Sequence, residues 1–287
     1  NAINLVNEPS VMFWNPAGLV HGEDRPWSVQ AGHLSYWSGI RMQSLALARR
    51  LSTGEVLAFG LRHLQTGPMK VTTEFQPTGT GQTFNATNTS MGLAYAKPLT
   101  DRFALGMSLN WVYEQMPDWQ VHNATVDLGF RYDVGWRETR LAVGINHFGM
   151  NVTPTGRLVR PTLGRNDTLQ TFESLAPPTV LRLGLSSLVY QEQDHRVDGV
   201  VQLNHPTDQA ESLGFGLEYR YREWMFVRSG YEHQSGSGQG LSWGLGWRIP
   251  RAYGVLQLDY AFVGRSGLGP THRLGLMWSG GKRQEVL

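Results

Sequence analysis

The chain has 287 residues, of which 17% are charged and 11% aromatic, with 34 glycines and a formal charge of +2. So small a net charge gives no basic field for nucleic acid, and the longest apolar run falls far below the roughly 20 residues a membrane helix needs. There is no cysteine, which excludes a disulfide framework, a zinc–thiolate centre and a thiol nucleophile.

Charge this low departs from the roughly 25% typical of soluble domains. Low charge with many glycines and tryptophans suits a barrel wall, where glycine eases curvature and aromatics line the interfaces. No signal peptide is present in the sequence, and its opening at Asn1 is expected of a mature or trimmed product.

Residues 1–26 do not alternate. The run Asn7 to Trp14 (NEPSVMFW) reads as one short helix. Asn7 is positioned to cap it, and Pro9 is tolerated in a first turn. Pro16 removes a donor and turns Asn15 away from helix, so the helix stops there. Asn15, Pro16, Ala17 and Gly18 then form a tight turn, and His21 to Pro26 a polar connector.

Alternation starts at Trp27. It predicts strands near 27–37, 41–50, 55–66, 88–97, 102–113, 120–133, 138–150, 178–190, 196–205, 210–222, 224–234, 240–249, 253–263 and 271–280. In LGFGLEYRYR, Leu213, Phe215, Leu217, Tyr219 and Tyr221 share one face, and Gly214, Gly216, Glu218, Arg220 and Arg222 the other. An aromatic face opposite glycine and charge is the pattern of a wall with lipid outside and a polar lumen inside. About fourteen strands is an even number, as a closed bacterial barrel requires. The predicted fold is therefore all-β: a transmembrane antiparallel barrel over 27–280, a short N-terminal helical plug segment over 1–26, and a tail over 281–287.

The joints between strands sort by length. One end carries short turns, such as Ser52-Thr53-Gly54, Glu223 and Pro250-Arg251-Ala252. The other carries the longer segments Gly67 to Thr87 and Asn151 to Pro177, with only the first joint, Ser38 to Ile40, short against the rule. Gly67 to Thr87 is expected to form a small hairpin above the membrane.

EPSVMFWNPAGL resembles the N-terminal signature of the FadL superfamily of outer-membrane barrels, and is most similar to its PorV/PorQ branch. LGFGLEYRYREWMFVRSGYEHQSGSGQGLSWGLGW resembles that branch's glycine–aromatic hairpins, and LQLDYAFVGRSGLGPTHRLGLMW its closing strand pair. Residues 60–200 carry little of the likeness. The resemblance implies a fourteen-stranded barrel whose N-terminal segment enters or caps the lumen, in the bacterial outer membrane with both termini periplasmic. It implies one of two activities. PorV/PorQ-like members act in type IX secretion through protein partners, and FadL-like members pass fatty acids or other hydrophobic molecules. The chain lacks the glycine-rich stretch that usually precedes the NPAG helix, and 26 residues are too few for a long hatch.

Three groups of residues are candidate sites. The turn Asn15, Pro16, Ala17 and Gly18 either anchors the plug to the wall or only ends the helix. The inward charges Asp127, Arg131, Arg182, Glu218, Arg220, Arg222, Arg228, Arg248, Asp259 and Arg273, with Arg62, form either an eyelet for an anionic solute or a salt-bridged packing. Interleaved signs favour the packing, since an Arg or Lys facing lipid at mid-depth costs about 2–4 kcal/mol. The outward aromatics, among them Trp224, Trp243, Trp247 and Trp278, suit membrane girdles or a protein groove.

Catalysis is not expected. His122, His147, His205, His233 and His272 are scattered, HExxH does not occur, and no base is placed beside a nucleophile. No cofactor or metal is predicted. The expected partners are outer-membrane lipid and other outer-membrane or secreted proteins, but not nucleic acid. The inward positions of the last third are glycine, serine and charge, which argues against lipid passage. The main expectation is therefore a partner-binding component of a secretion or surface-assembly complex. The alternatives are FadL-like transport and a structural subunit of a larger complex.

Overall fold

The computed structural model describes residues 8–22, 25–162, 165–169, 172–235, 238–265 and 269–281. Fourteen long antiparallel strands close into one barrel. They are β1 (Trp27–Ser35), β2 (Arg41–Arg50), β3 (Val56–Gln65), β4 (Thr87–Pro98), β5 (Phe103–Gln115), β6 (Trp119–Asp133), β7 (Arg140–Gly149), β8 (Val180–Glu192), β9 (His195–Pro206), β10 (Ser212–Tyr221), β11 (Met225–Gln234), β12 (Gly238–Arg251), β13 (Gly254–Arg265) and β14 (Gly269–Gly280). Each strand pairs with its neighbours in sequence, and β14 closes on β1 from Trp27↔Gly280 to Ser35↔His272. Closure pairs the backbone groups that a free edge would expose to lipid.

Alternation places the two faces as expected. Leu57, Leu93, Leu109, Phe215, Trp243 and Leu274 point outward and are exposed, as a lipid-facing band requires. Inward residues are small or polar and mostly buried, among them Ser28, Gln30, Ala46, Ala58, Ser108 and Asp127.

Several expectations change. The predicted helix over Asn7 to Trp14 is instead a five-residue 3₁₀ turn, Pro9–Phe13, followed by a second, Pro16–His21. Two prolines seven residues apart leave too short a run for an α-helical ladder, and the Ser10 amide, which a first helical turn would leave without an intrahelical partner, donates to the Gln30 side chain (2.9 Å). The proposed cap Asn7 and the tail beyond Gly281 lie outside the described residues. Arg222 is not a strand residue. Arg222 and Glu223 both have positive φ (49° and 57°), the primed two-residue turn that suits the twist of a hairpin.

The sorting of joints is weaker than its sequence pattern, because β5 and β6 extend until only residues 116–118 separate them. Two long joints remain at that end. One carries the expected hairpin, Met69–Lys70 against Thr83–Phe84. The other carries an unexpected one, Leu158–Thr162 against Arg165–Leu169, and adds Thr155–Gly156 beside β6.

Candidate functional site in the lumen

The N-terminal segment lies inside the barrel. Val11, Met12, Phe13 and Leu19 pack with Ala46 of β2, Val56 and Ala58 of β3, and Ala94 and Ala96 of β4 as a buried hydrophobic cluster. On the opposite side of the segment, the Asn15 turn rests on β5, β6 and β7. There Gly106, Gly129 and Gly144 are in register, one per strand. A Cβ on Gly129 would collide with the Asn15 side chain, and one on Gly106 with the Pro16–Ala17 backbone. Glycine in these rows lets the segment's backbone approach the wall.

Asn15 joins the two. It is fully buried, its Oδ1 accepts from the Ala17 amide at 3.1 Å, and its Nδ2 donates to the Phe130 carbonyl at 3.1 Å. The first contact caps the second turn, since Pro16 has no amide of its own to satisfy. The second ties the turn to β6.

Further bonds hold the ends of the segment. Arg50 of β2 donates to the carbonyls of Val20 (2.7 Å) and Gly22 (3.2 Å). His21 Nε2 meets Asp133 of β6 at 3.1 Å, and burial holds the His21 imidazole below its ordinary value of 6.5 despite that carboxylate. The Glu8 carboxylate accepts from Gln257 at 2.8 Å and from Gln30. Burial raises Glu8 above 4.5, and Asp259 adds to that, while Arg228 opposes it. Arg62 lies over the Phe13 ring at 4.6 Å and Arg182 over the Trp14 ring at 5.7 Å.

The lumen beside β9–β13 holds an ion-pair relay. Arg196 bridges Glu138 (2.6 Å) and Asp198 (2.8 Å). Arg220 bridges Asp198 (2.5 Å) and Glu218 (3.1 Å). Arg228 bridges Glu218 (2.6 Å) and Asp259 (2.7 Å). Gln257 then links Asp259 (2.7 Å) to Glu8 of the segment. Glu218 sits opposite Arg228 in register, which puts unlike charges side by side, whereas the like pair Asp198 and Glu218 is opposite in register and is bridged by Arg220.

The sequence-selected charges divide accordingly. Glu218, Arg220, Arg228 and Asp259 are in the relay. Asp127 lies across the lumen, accepting from Ser108 (2.9 Å), Asn110 (2.9 Å) and the His147 amide (2.7 Å). Arg131 is buried near Asp133 at 3.7 Å, and Arg182 bonds Asn146. Arg248 of β12 and Arg273 of β14 sit at inward positions, and the Arg273 charge acts on Glu8. Arg222 is outside the lumen, exposed and paired with Asp194 at 2.7 Å.

Sequence reasoning missed Arg196, Asp198, Glu138 and Glu8. Arg196 and Asp198 share the inward parity of their strand and could have been found. Glu138 sits in a turn and Glu8 in the segment, where parity carries no signal. It also missed the inward alanines and valine of β2–β4.

No protein-family model and no curated protein sequence matches the chain. Solved structures do match its fold. The Pseudomonas putida toluene transporter TodX matches with a TM-score of 0.66 at 11% identity, over 96% of this chain and 93% of that one. The Ralstonia pickettii toluene transporter TbuX gives 0.63 at 16% identity, over 96% and 93%. A Pseudomonas aeruginosa FadL homologue gives 0.53 at 11% identity, over 95% and 93%. The likeness is one of fold and is carried by barrels of the FadL superfamily. It does not reach the PorV/PorQ branch that the sequence motifs suggest.

Proposed function

We propose that the chain is a non-enzymatic outer-membrane conduit for small hydrophobic molecules, with both termini on the periplasmic side and the N-terminal segment as its stopper. The observation that carries this reading is the apolar side of the lumen. Ala46, Val56, Ala58, Ala94 and Ala96 face Val11, Met12, Phe13 and Leu19 of a segment that is not covalently part of the wall's sheet. The last third of the sequence, read alone, argues against such a path, because its inward residues are glycine, serine and charge. β2–β4 supply one on the other side.

An apolar solute can replace the contacts that Val11, Met12 and Phe13 make with this wall, because dispersion and burial do not distinguish the partner. The polar ties to the wall at Asn15, Ser10, Val20, Gly22, His21 and Glu8 then set the cost of moving the segment. Each hydrogen bond is worth about 1 kcal/mol, small enough to release and large enough to keep the path shut at rest. The names of TodX and TbuX as toluene transporters support the same reading.

The test is uptake of radiolabelled toluene by cells whose outer membrane carries this chain. Uptake is expected above that of cells with an empty vector, and higher again with Asn15→Ala at equal barrel abundance. Uptake at the empty-vector rate for both proteins would reject the conduit. Co-purified secretion subunits would then favour the partner-binding alternative.

A further inference from the structure

The outer wall has a pocket at the loop end of β2 and β3. Residues 36–40 turn sharply from β1 into β2, and the chain leaving β3 folds over that turn. A Cβ placed on Gly67 would lie 3.3 Å from the Ser38 carbonyl oxygen. Between them is a cavity of about 260 Å³, lined by Gly39, Arg41, Gln43, Gln65, Thr66 and Pro68 among others.

Its polar side chains face away from the lumen. Arg41, Gln43 and Gln65 alternate with the inward positions of β2 and β3, where Ala46 and Ala58 are buried. They share the face that carries Leu45, Leu47, Leu57 and Leu61 further down. Arg41 is opposite Gln65, and Gln43 lies between His33 and His63. His63 is engaged with Thr89 at 2.9 Å. Among the described residues Arg41, Gln43 and Gln65 have no side-chain hydrogen bond or ion pair.

An unpaired guanidinium at the border of a lipid-facing wall is a binding group without its anion. Two carboxamides beside it add N–H donors, and the leucines below offer an apolar track. A phosphate with its glycerol or sugar fits the volume, and Arg matches phosphate oxygens through its planar fork of donors. We propose that this pocket seats the phosphate head group of a membrane lipid, with the acyl chains running down Leu45, Leu47 and Leu61. The site is independent of whether the lumen conducts.

The test uses the purified, folded barrel in neutral detergent with phosphatidic acid as probe, read by native mass spectrometry. The wild type is expected to retain phosphatidic acid and to release diacylglycerol, the same lipid without phosphate. Arg41→Gln should lower retention about tenfold, while Arg49→Gln, at the other end of β2 over Trp27, should leave it unchanged. Heat-modifiable migration checks that each variant is folded, and if Arg41→Gln fails that check Gln65→Leu is expected to show the same loss. Equal retention by wild type and the pocket variant overturns the proposal. So does equal retention of diacylglycerol, or displacement of the lipid by inorganic phosphate.

Discussion

The lumen is filled in two different ways. Beside β2–β7 the filling is the N-terminal segment, resting on alanine, valine and glycine. Beside β9–β13 it is side chains of the wall itself, in the relay from Glu138 to Asp259. Both halves place side chains in the lumen of a wide cylinder. They differ in what it takes to open them. The relay is built from groups anchored on the wall, so opening it means leaving charges unpaired. The segment touches its wall through apolar contacts and through separate polar ties at Glu8, Ser10, Asn15, Val20, His21 and Gly22, each of which can be exchanged for water or solute without stranding a row of charges. Under the proposed function, rigidity belongs to one half and passage to the other, and Glu8 joins them.

The largest expected effect lies in the rigid half. Asp198 is 3% exposed and holds both Arg196 and Arg220. Asp198→Ala is expected to cost about 3 kcal/mol, the scale of breaking a buried pair while its partners remain. A thermal melt in detergent measures this, and solute uptake should stay at the wild-type rate. A rise in uptake with no loss of stability would reverse the assignment of the two halves.

Next comes the opposite test. Gly129→Leu puts a side chain where Asn15 and the Pro16 Cδ (3.0 Å) sit. Overpacking of about 1–3 kcal/mol should unseat the segment. Uptake should rise while the barrel keeps its heat-modifiable folded form. If uptake is unchanged, the segment is not what closes this half.

The junction between the halves is smaller and depends on pH. Burial raises Glu8, so the folded protein holds a proton there that the unfolded chain, near 4.5, has already lost. Its favourable contribution is full below 4.5 and falls as pH rises through the raised value. Glu8→Gln should flatten the melting temperature in that window and leave the segment at least as firmly held at neutral pH. A slope identical to wild type would remove Glu8 from the closure.

Arg222→Ala is expected to change nothing. Its side chain pairs with Asp194 in the short turn, outside both fillings. A change in uptake would place it back among the lumen charges.

How much of this was legible follows from the range of each signal. β10 was readable because Leu213 to Tyr221 alternates within one strand. Glu218, Arg228 and Asp259 could be assigned to the same side for that reason. The glycines at 106, 129 and 144 are each visible as inward positions, but that they form one row depends on the pairing of three strands. The N-terminal segment misled because a run of apolar residues between prolines looks helical in isolation. Its amides close short turns within the segment, and that of Ser10 bonds to Gln30 of the barrel. The apolar cluster beside β2–β4 was missed because single alanines say nothing until something apolar is set against them.

The sequence by itself determined the barrel. The period of two is built into the covalent geometry of every extended strand, so inside and outside are written locally, residue by residue. The tertiary structure alone decided which inward residues meet, what occupies the lumen and where the outer wall opens a pocket. Those depend on the register of fourteen strands and on a segment bonded to partners such as Phe130 and Gln257, more than a hundred residues away in the chain.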